Sequence, residues 1–271
     1  MSKKSKPSKQ KKSLRADISQ ADSLFDFIGQ QILRRDYTGA VTNCERLLKF
    51  LPPHAPLRAD VLAQLGTVHA MLQNYPQSYT VLTEALELAP NNAELWYNRG
   101  MSSRYTMRLG RSFRDFTRAV ELNKRAELSE QFNEALKFSR EMAEKSIKLR
   151  GPNFTLDQLI EQEDLFQRGL KLMEANQWDE AGQAFQASIA MGDCLSQPWG
   201  NLGICLMMQE RYDEAEAALK RALEIDPKYT LAKNNLALLA ESRRIGPPTM
   251  VALNEPFKHS KLKQSITFIK E

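Results

Sequence analysis

Between Ser196 and Pro227, apolar residues recur every three or four positions in two runs separated by a short polar stretch. Trp199, Leu202, Gly203 and Leu206 fall on one face of a first helix, and Ala215, Leu219, Ala222 and Ile225 on one face of a second. That spacing belongs to a stripe buried against a neighbour. The stretch from Gln209 to Glu214 is polar except for Tyr212, with Asp213 and Glu214 placed to favour a helix start, and Pro227 closes the unit. The pattern predicts a helix, a tight turn and a second helix.

Shifting the frame by thirty-four residues finds the pattern again. Gly169 precedes Gly203 by that interval, as do Leu165 and Trp199, Ala181 and Ala215, and Phe185 and Leu219. Upstream, Gly66 and Gly100, Ser78 and Ser112, Leu82 and Phe116, and Leu88 and Leu122 keep the same spacing. A weaker copy opens the array with Leu24, Phe27 and Ile28, then Ala40, Cys44, Leu47 and Phe50. Tyr37, Tyr75, Leu109, Trp178 and Tyr212 each stand three residues before the small residue of a second helix. The four glycines lie where paired helices would approach most closely. Glycine costs about 1 kcal/mol of helix propensity, so its recurrence implies a packing reason.

No single unit of this kind buries both of its faces, so stability requires stacked neighbours. The pattern resembles the tetratricopeptide repeat over nearly all of residues 21–243. The resemblance implies an all-α helical solenoid, an α-α superhelix in two half-arrays with capping helices. It also implies protein binding on the concave side, which the first helix of each unit lines.

The organisation expected is a disordered basic tail over 1–17, three repeats over 18–125, a capping and linking helix over 126–154, two repeats with a terminal helix over 155–243, and a non-helical basic tail over 244–271. Leu51-Pro52-Pro53-His54-Ala55-Pro56 adds four residues to the register between the first two units. Thr155 and Gln158 are spaced as a capping box. Gly151-Pro152-Asn153 is the expected domain boundary.

Composition fits a globular protein, with 42% hydrophobic and 26% charged residues. The amino terminus has no apolar core and no run approaches the length of a membrane span, so a cytoplasmic protein without membrane contact is expected. Of three cysteines, Cys44 and Cys205 take buried-stripe positions. The net charge of +5 is concentrated at the ends, where residues 1–17 carry seven Lys or Arg against Asp17. Lys3, Lys4, Lys6, Lys9, Lys11 and Lys12 are the candidate nucleic-acid contacts of this tail, and the same residues suit a solvated segment that keeps a chain soluble.

No catalytic motif stands out, His54, His69 and His259 are isolated, and neither enzyme activity, cofactor nor metal is expected. Two residues before the close-packing position of each first helix stand Asp26, Gln64, Asn98, Gln167, Asn201 and Asn235. An amide both donates and accepts, so such a row can hold the backbone of an extended peptide. Family members that grip a terminal carboxylate use Lys, Arg and Asn, and of those only Asn201 has a match here; Glu94 and Leu231 stand where cations would. Phe166, Leu170, Met207 and Met208 in the second array and Tyr97 in the first supply apolar contacts. The function expected is a protein-binding scaffold or adaptor. Two alternatives are an RNA- or ribosome-associated factor held by the Lys-rich tail, and a self-assembling structural protein whose tail from Ile245 fills a neighbour's groove.

Overall fold

The computed structural model describes residues 9–247, with side chains from 20 to 247. Lys3, Lys4, Lys6 and the segment from 248 onward lie outside the described residues. Lys9, Lys11 and Lys12 belong to a helix whose side chains are described only further along. The first helix thus begins at Lys9, inside the tail that composition outlined to residue 17.

Helices follow one another in pairs. Helices α1 (Lys9–Leu33) and α2 (Tyr37–Phe50) form the first unit, α3 (Pro56–Met71) and α4 (Tyr75–Leu88) the second, and α5 (Ala93–Tyr105) and α6 (Leu109–Leu122) the third. A single 3-10 turn at Ala126–Leu128 leads into α7 (Ser129–Arg150). Helices α8 (Leu156–Glu174) and α9 (Trp178–Met191), then α10 (Ser196–Met208) and α11 (Tyr212–Ile225), make two further units, and α12 (Thr230–Ile245) ends the series. Thr155 and Gln158 form the capping box that their spacing announced, and it opens α8. No described helix is long and apolar enough to cross a membrane.

The described residues form two compact units, 9–107 with 111–139, and 108–110 with 140–247. The division falls inside α7 rather than at Gly151-Pro152-Asn153. The first unit has its core around Ile28, Cys44, Leu47, Val61, Leu82 and Ala85. The second gathers Phe185, Leu202, Ile204, Cys205, Met207 and Leu219. Burial pushes the Cys44 and Cys205 thiols up to about 12, which leaves them as small inert core groups.

The repeating glycines do what their spacing implies. A Cβ on Gly66 would stand 2.5 Å from Leu82, one on Gly100 2.9 Å from Phe116, one on Gly169 2.6 Å from Phe185 and one on Gly203 2.6 Å from Leu219. In each case the opposing residue is the large side chain of the same unit's second helix. In the first unit's copies the contact is also hydrogen-bonded: Ser78 Oγ donates to the Gly66 carbonyl at 2.7 Å and Ser112 Oγ to the Gly100 carbonyl at 3.0 Å. Ala181 and Ala215 hold those places in the second unit, where the packing is apolar.

Each turn from first to second helix reverses direction through a left-handed residue. Arg35, Gln73, Met107, Asn176 and Glu210 have φ between 59 and 63°. The next residue's N–H reaches back to close the helix, as Asn74 N does to the His69 carbonyl at 2.8 Å and Arg211 N to the Leu206 carbonyl at 2.9 Å. Two positions beyond the left-handed residue, the second helix opens on Tyr37, Tyr75, Leu109, Trp178 or Tyr212. None of the five turn residues is glycine, and a Cβ in this conformation costs about 1–2 kcal/mol. Replacing Glu210 by Gly should therefore stabilise the second unit by about 0.5–1 kcal/mol, after the entropy lost with a freer unfolded chain is deducted. A melting temperature unchanged or lowered in Glu210→Gly would show that the turn is held by its side chain instead.

Candidate partner-binding face

First helices of successive units touch one another: α1 meets α3, α3 meets α5, and α10 meets α12. Each is also flanked by second helices, since α3 packs on both α2 and α4 and α10 on both α9 and α11. The residues that spacing placed on an inner face are therefore sorted by how much of this flanking each one feels.

Three amides of the row are covered. Asn98, Asn201 and Asn235 are only 5%, 7% and 3% exposed, so they are not the open contacts that their register suggested. The physical reason is that α5 is covered by α4 and the start of α7, α10 lies between α9 and α11, and α12 packs on both α10 and α11; ten of the thirteen residues of α10 are buried. Met207, fully buried, belongs to the second unit's core together with Ile204. Tyr97 is buried too: its ring stacks on Phe132 with centroids 4.6 Å apart, and its hydroxyl accepts from Gln131 Nε2 at 3.0 Å. The opening turns of α7 cover that part of α5.

What stays half-exposed is smaller. In the first unit it is Gln64; in the second it is Gln167, Phe166, Leu170 and Met208. Phe166 meets the edge of Phe185 at 5.6 Å and, with Leu170 and Met208, leans on the core rather than standing free. Two oxygens on the inner side of the first unit, Gln64 Oε1 and Asn98 Oδ1, are buried without a hydrogen-bond partner among the described residues. Such acceptors carry a desolvation cost that a donor would relieve.

One feature of this region escaped the sequence reading. Arg99, beside Asn98 and Gly100, is buried with its guanidinium donating to both Asp115 oxygens, at 2.9 and 2.6 Å, while Ser103 Oγ adds a third bond at 3.3 Å. The same guanidinium lies 4.6 Å from the centre of the Trp96 ring and 5.6 Å from that of Tyr79. Asp115 is fully buried, and burial pushes its carboxyl up against the opposing pull of Arg99. The signal available was a charge pair at apolar-stripe positions of a first and a second helix. His69, also buried, has its imidazole pushed down by burial, in keeping with a packed rather than a catalytic group. No group of His, Cys, Asp and Glu suited to a metal ion occurs among the described residues.

Comparisons with known proteins bear on the repeat itself. A stretch of 83 residues, 30% of this chain, is 34% identical to the peroxisomal targeting signal receptor of Yarrowia lipolytica and covers 14% of that receptor. Another of 104 residues, 38% of this chain, is 32% identical to the protein O-mannosyl-transferase TMTC1 of Mus musculus and covers 11% of it. The chain thus spans well under two thirds of the length of either relative. Among solved structures, the TPR domain of P58(IPK) matches with a TM-score of 0.44 at 11% identity, over 83% of this chain and 66% of that one. The family model for the tetratricopeptide repeat matches residues 196–229. That match falls on the unit whose apolar pattern is clearest, so residues 196–229 are a tetratricopeptide repeat.

Proposed function

We propose that the chain is a non-catalytic scaffold that holds an extended or helical segment of a partner protein against the inner side of its first helices. The observation that carries this reading is the in-register juxtaposition of α1, α3 and α5, with Gln64 half-exposed on α3 and its Oε1 without a hydrogen-bond partner among the described residues. A peptide backbone supplies the N–H donor that such an acceptor requires. The peroxisomal targeting signal receptor, which shares part of its sequence with this chain, is by its name a protein that binds a signal.

A photocrosslinking side chain placed at Gln64 or at Met208 should capture a defined protein, identified by mass spectrometry, whereas the same group at Glu84, exposed on the second helix α4, should not. Equal capture from both sides would overturn the assignment to the first helices.

A further inference from the structure

Four residues before each member of the amide row in the first unit stands a carboxylate. Asp22 and Asp26 share one face of α1, Asp60 and Gln64 of α3, and Glu94 and Asn98 of α5, each pair at the i, i+4 spacing that stacks side chains one turn apart. Asp22, Asp60 and Glu94 therefore form a column in the repeat's own register. The corresponding place on α8 is Glu163, whose carboxylate is buried and accepts from Gly110 N at 3.0 and 3.1 Å, and on α10 and α12 the places are Gln197 and Leu231, so an exposed acidic column is a property of the first unit.

Asp22, Asp26 and Asp60 are exposed and have no partner among the described residues. An acidic column alone would be a solvated face. Beside it, however, every buried side-chain atom left unpartnered on Gln64, Glu94 and Asn98 is an oxygen: Gln64 Oε1, Glu94 Oε2 and Asn98 Oδ1, the last on a residue only 5% exposed. Charge and orphaned acceptors ask for the same thing, a ligand rich in N–H donors that carries positive charge. The column already shows the contact it favours, since Arg125 Nη1 meets Glu94 Oε1 at 2.6 Å. Arg58, the basic residue nearest Asp60 in sequence, is turned away and donates to the Leu48 and Leu51 carbonyls. Arg104, farther along α5, lies over the Phe138 ring at 4.0 Å.

We infer that the first unit's column binds an extended segment of a partner protein bearing Lys or Arg at every third residue. The spacing follows from geometry: packed helices lie about 8–10 Å apart, and three residues of a polyproline-type strand advance about 9 Å. This deepens, and rests on, the scaffold reading above, naming the chemistry of the segment that the first unit takes.

The test uses the full chain and a labelled peptide with Lys at every third position and Pro and Ala between, followed by fluorescence anisotropy. Asp22→Asn with Asp60→Asn removes two exposed carboxylates that have no partner among the described residues and should leave the melting temperature in place. It should weaken the peptide by about fivefold, from two solvent-exposed ion pairs, and make the remaining binding less sensitive to salt. Moving the lysines to every second position should weaken binding as well. Unchanged affinity in the double variant, or indifference to lysine spacing, would overturn the column. Self-association that requires residues 1–8 and vanishes in the double variant would assign the column to a second copy's Lys-rich segment and overturn the partner assignment. If crosslinking from Gln64 captures a partner equally well from the double variant, the scaffold reading stands and the basic-segment reading falls.

Discussion

Asp115→Ala should lower the stability of the first unit by about 3–5 kcal/mol, the largest effect expected of any single substitution described. The side chain is fully buried and accepts both bonds of the Arg99 fork together with that of Ser103. Its removal leaves Arg99, only 8% exposed, without its counter-charge, and breaking such a pair costs far more than the pair contributes over an apolar substitute. Arg99→Met combined with Asp115→Leu should therefore recover most of the loss, less the cation-ring contacts to Trp96 and Tyr79. Trp96 reports on this unit directly once Trp178 and Trp199 are replaced by Phe, so urea titration of its fluorescence measures the difference. A single variant within about 1 kcal/mol of the parent would mean that water reaches the fork and that the pair is not sealed.

Gly169→Ala should destabilise the second unit by about 1–3 kcal/mol even though alanine is the better helix former. The added methyl would meet Cε1, Cζ and Cδ1 of Phe185 at 2.6, 2.7 and 2.9 Å. Those atoms belong to a rigid ring that is fully buried, so relief requires the two helices to part. Gly29→Ala on α1 is the control, because a Cβ there meets nothing within 4 Å. That substitution should raise stability by about 0.5–1 kcal/mol. Thermal unfolding of the two variants should move in opposite directions; a shift of the same sign in both would show that propensity, not contact, decides the outcome at Gly169.

The parts of the fold that were legible in the sequence are those in which one residue type is the only solution. Gly66, Gly100, Gly169 and Gly203 are required by the close approach that their spacing implied, and each lies against a large side chain of the helix paired with its own. Cys44 and Cys205 sit in the stripe that spacing gave them. The candidate site was less legible, and α10 shows why. A helix packed on two flanks has no polar side for periodicity to detect, so Asn201 and Met207 look like members of an open face and are core. Tyr97 was misplaced for a different reason, since the residues that cover it, Gln131 and Phe132, belong to a helix outside the repeat register. The Arg99–Asp115 pair was overlooked because charge on a helix is ordinarily read as surface; only its position beside Gly100 and Phe116 marks it as interior.

The left-handed turn residues Gln73 and Met107, and again Asn176 and Glu210, stand thirty-four residues apart, and this makes the chain length itself adjustable. Asn176 and Glu210 occupy the same place in their units, so excising residues 177–210 would join Asn176 to Arg211 across an unchanged turn. Gly169 would then face Leu219 in place of Phe185, the pairing that Gly203 already makes and that Gly66 makes with Leu82. Shortening or lengthening by one unit would exchange one accepted contact for another and create no new kind of interface. Such a chain can change its reach along a partner by whole-unit steps while the chemistry of every joint stays the same.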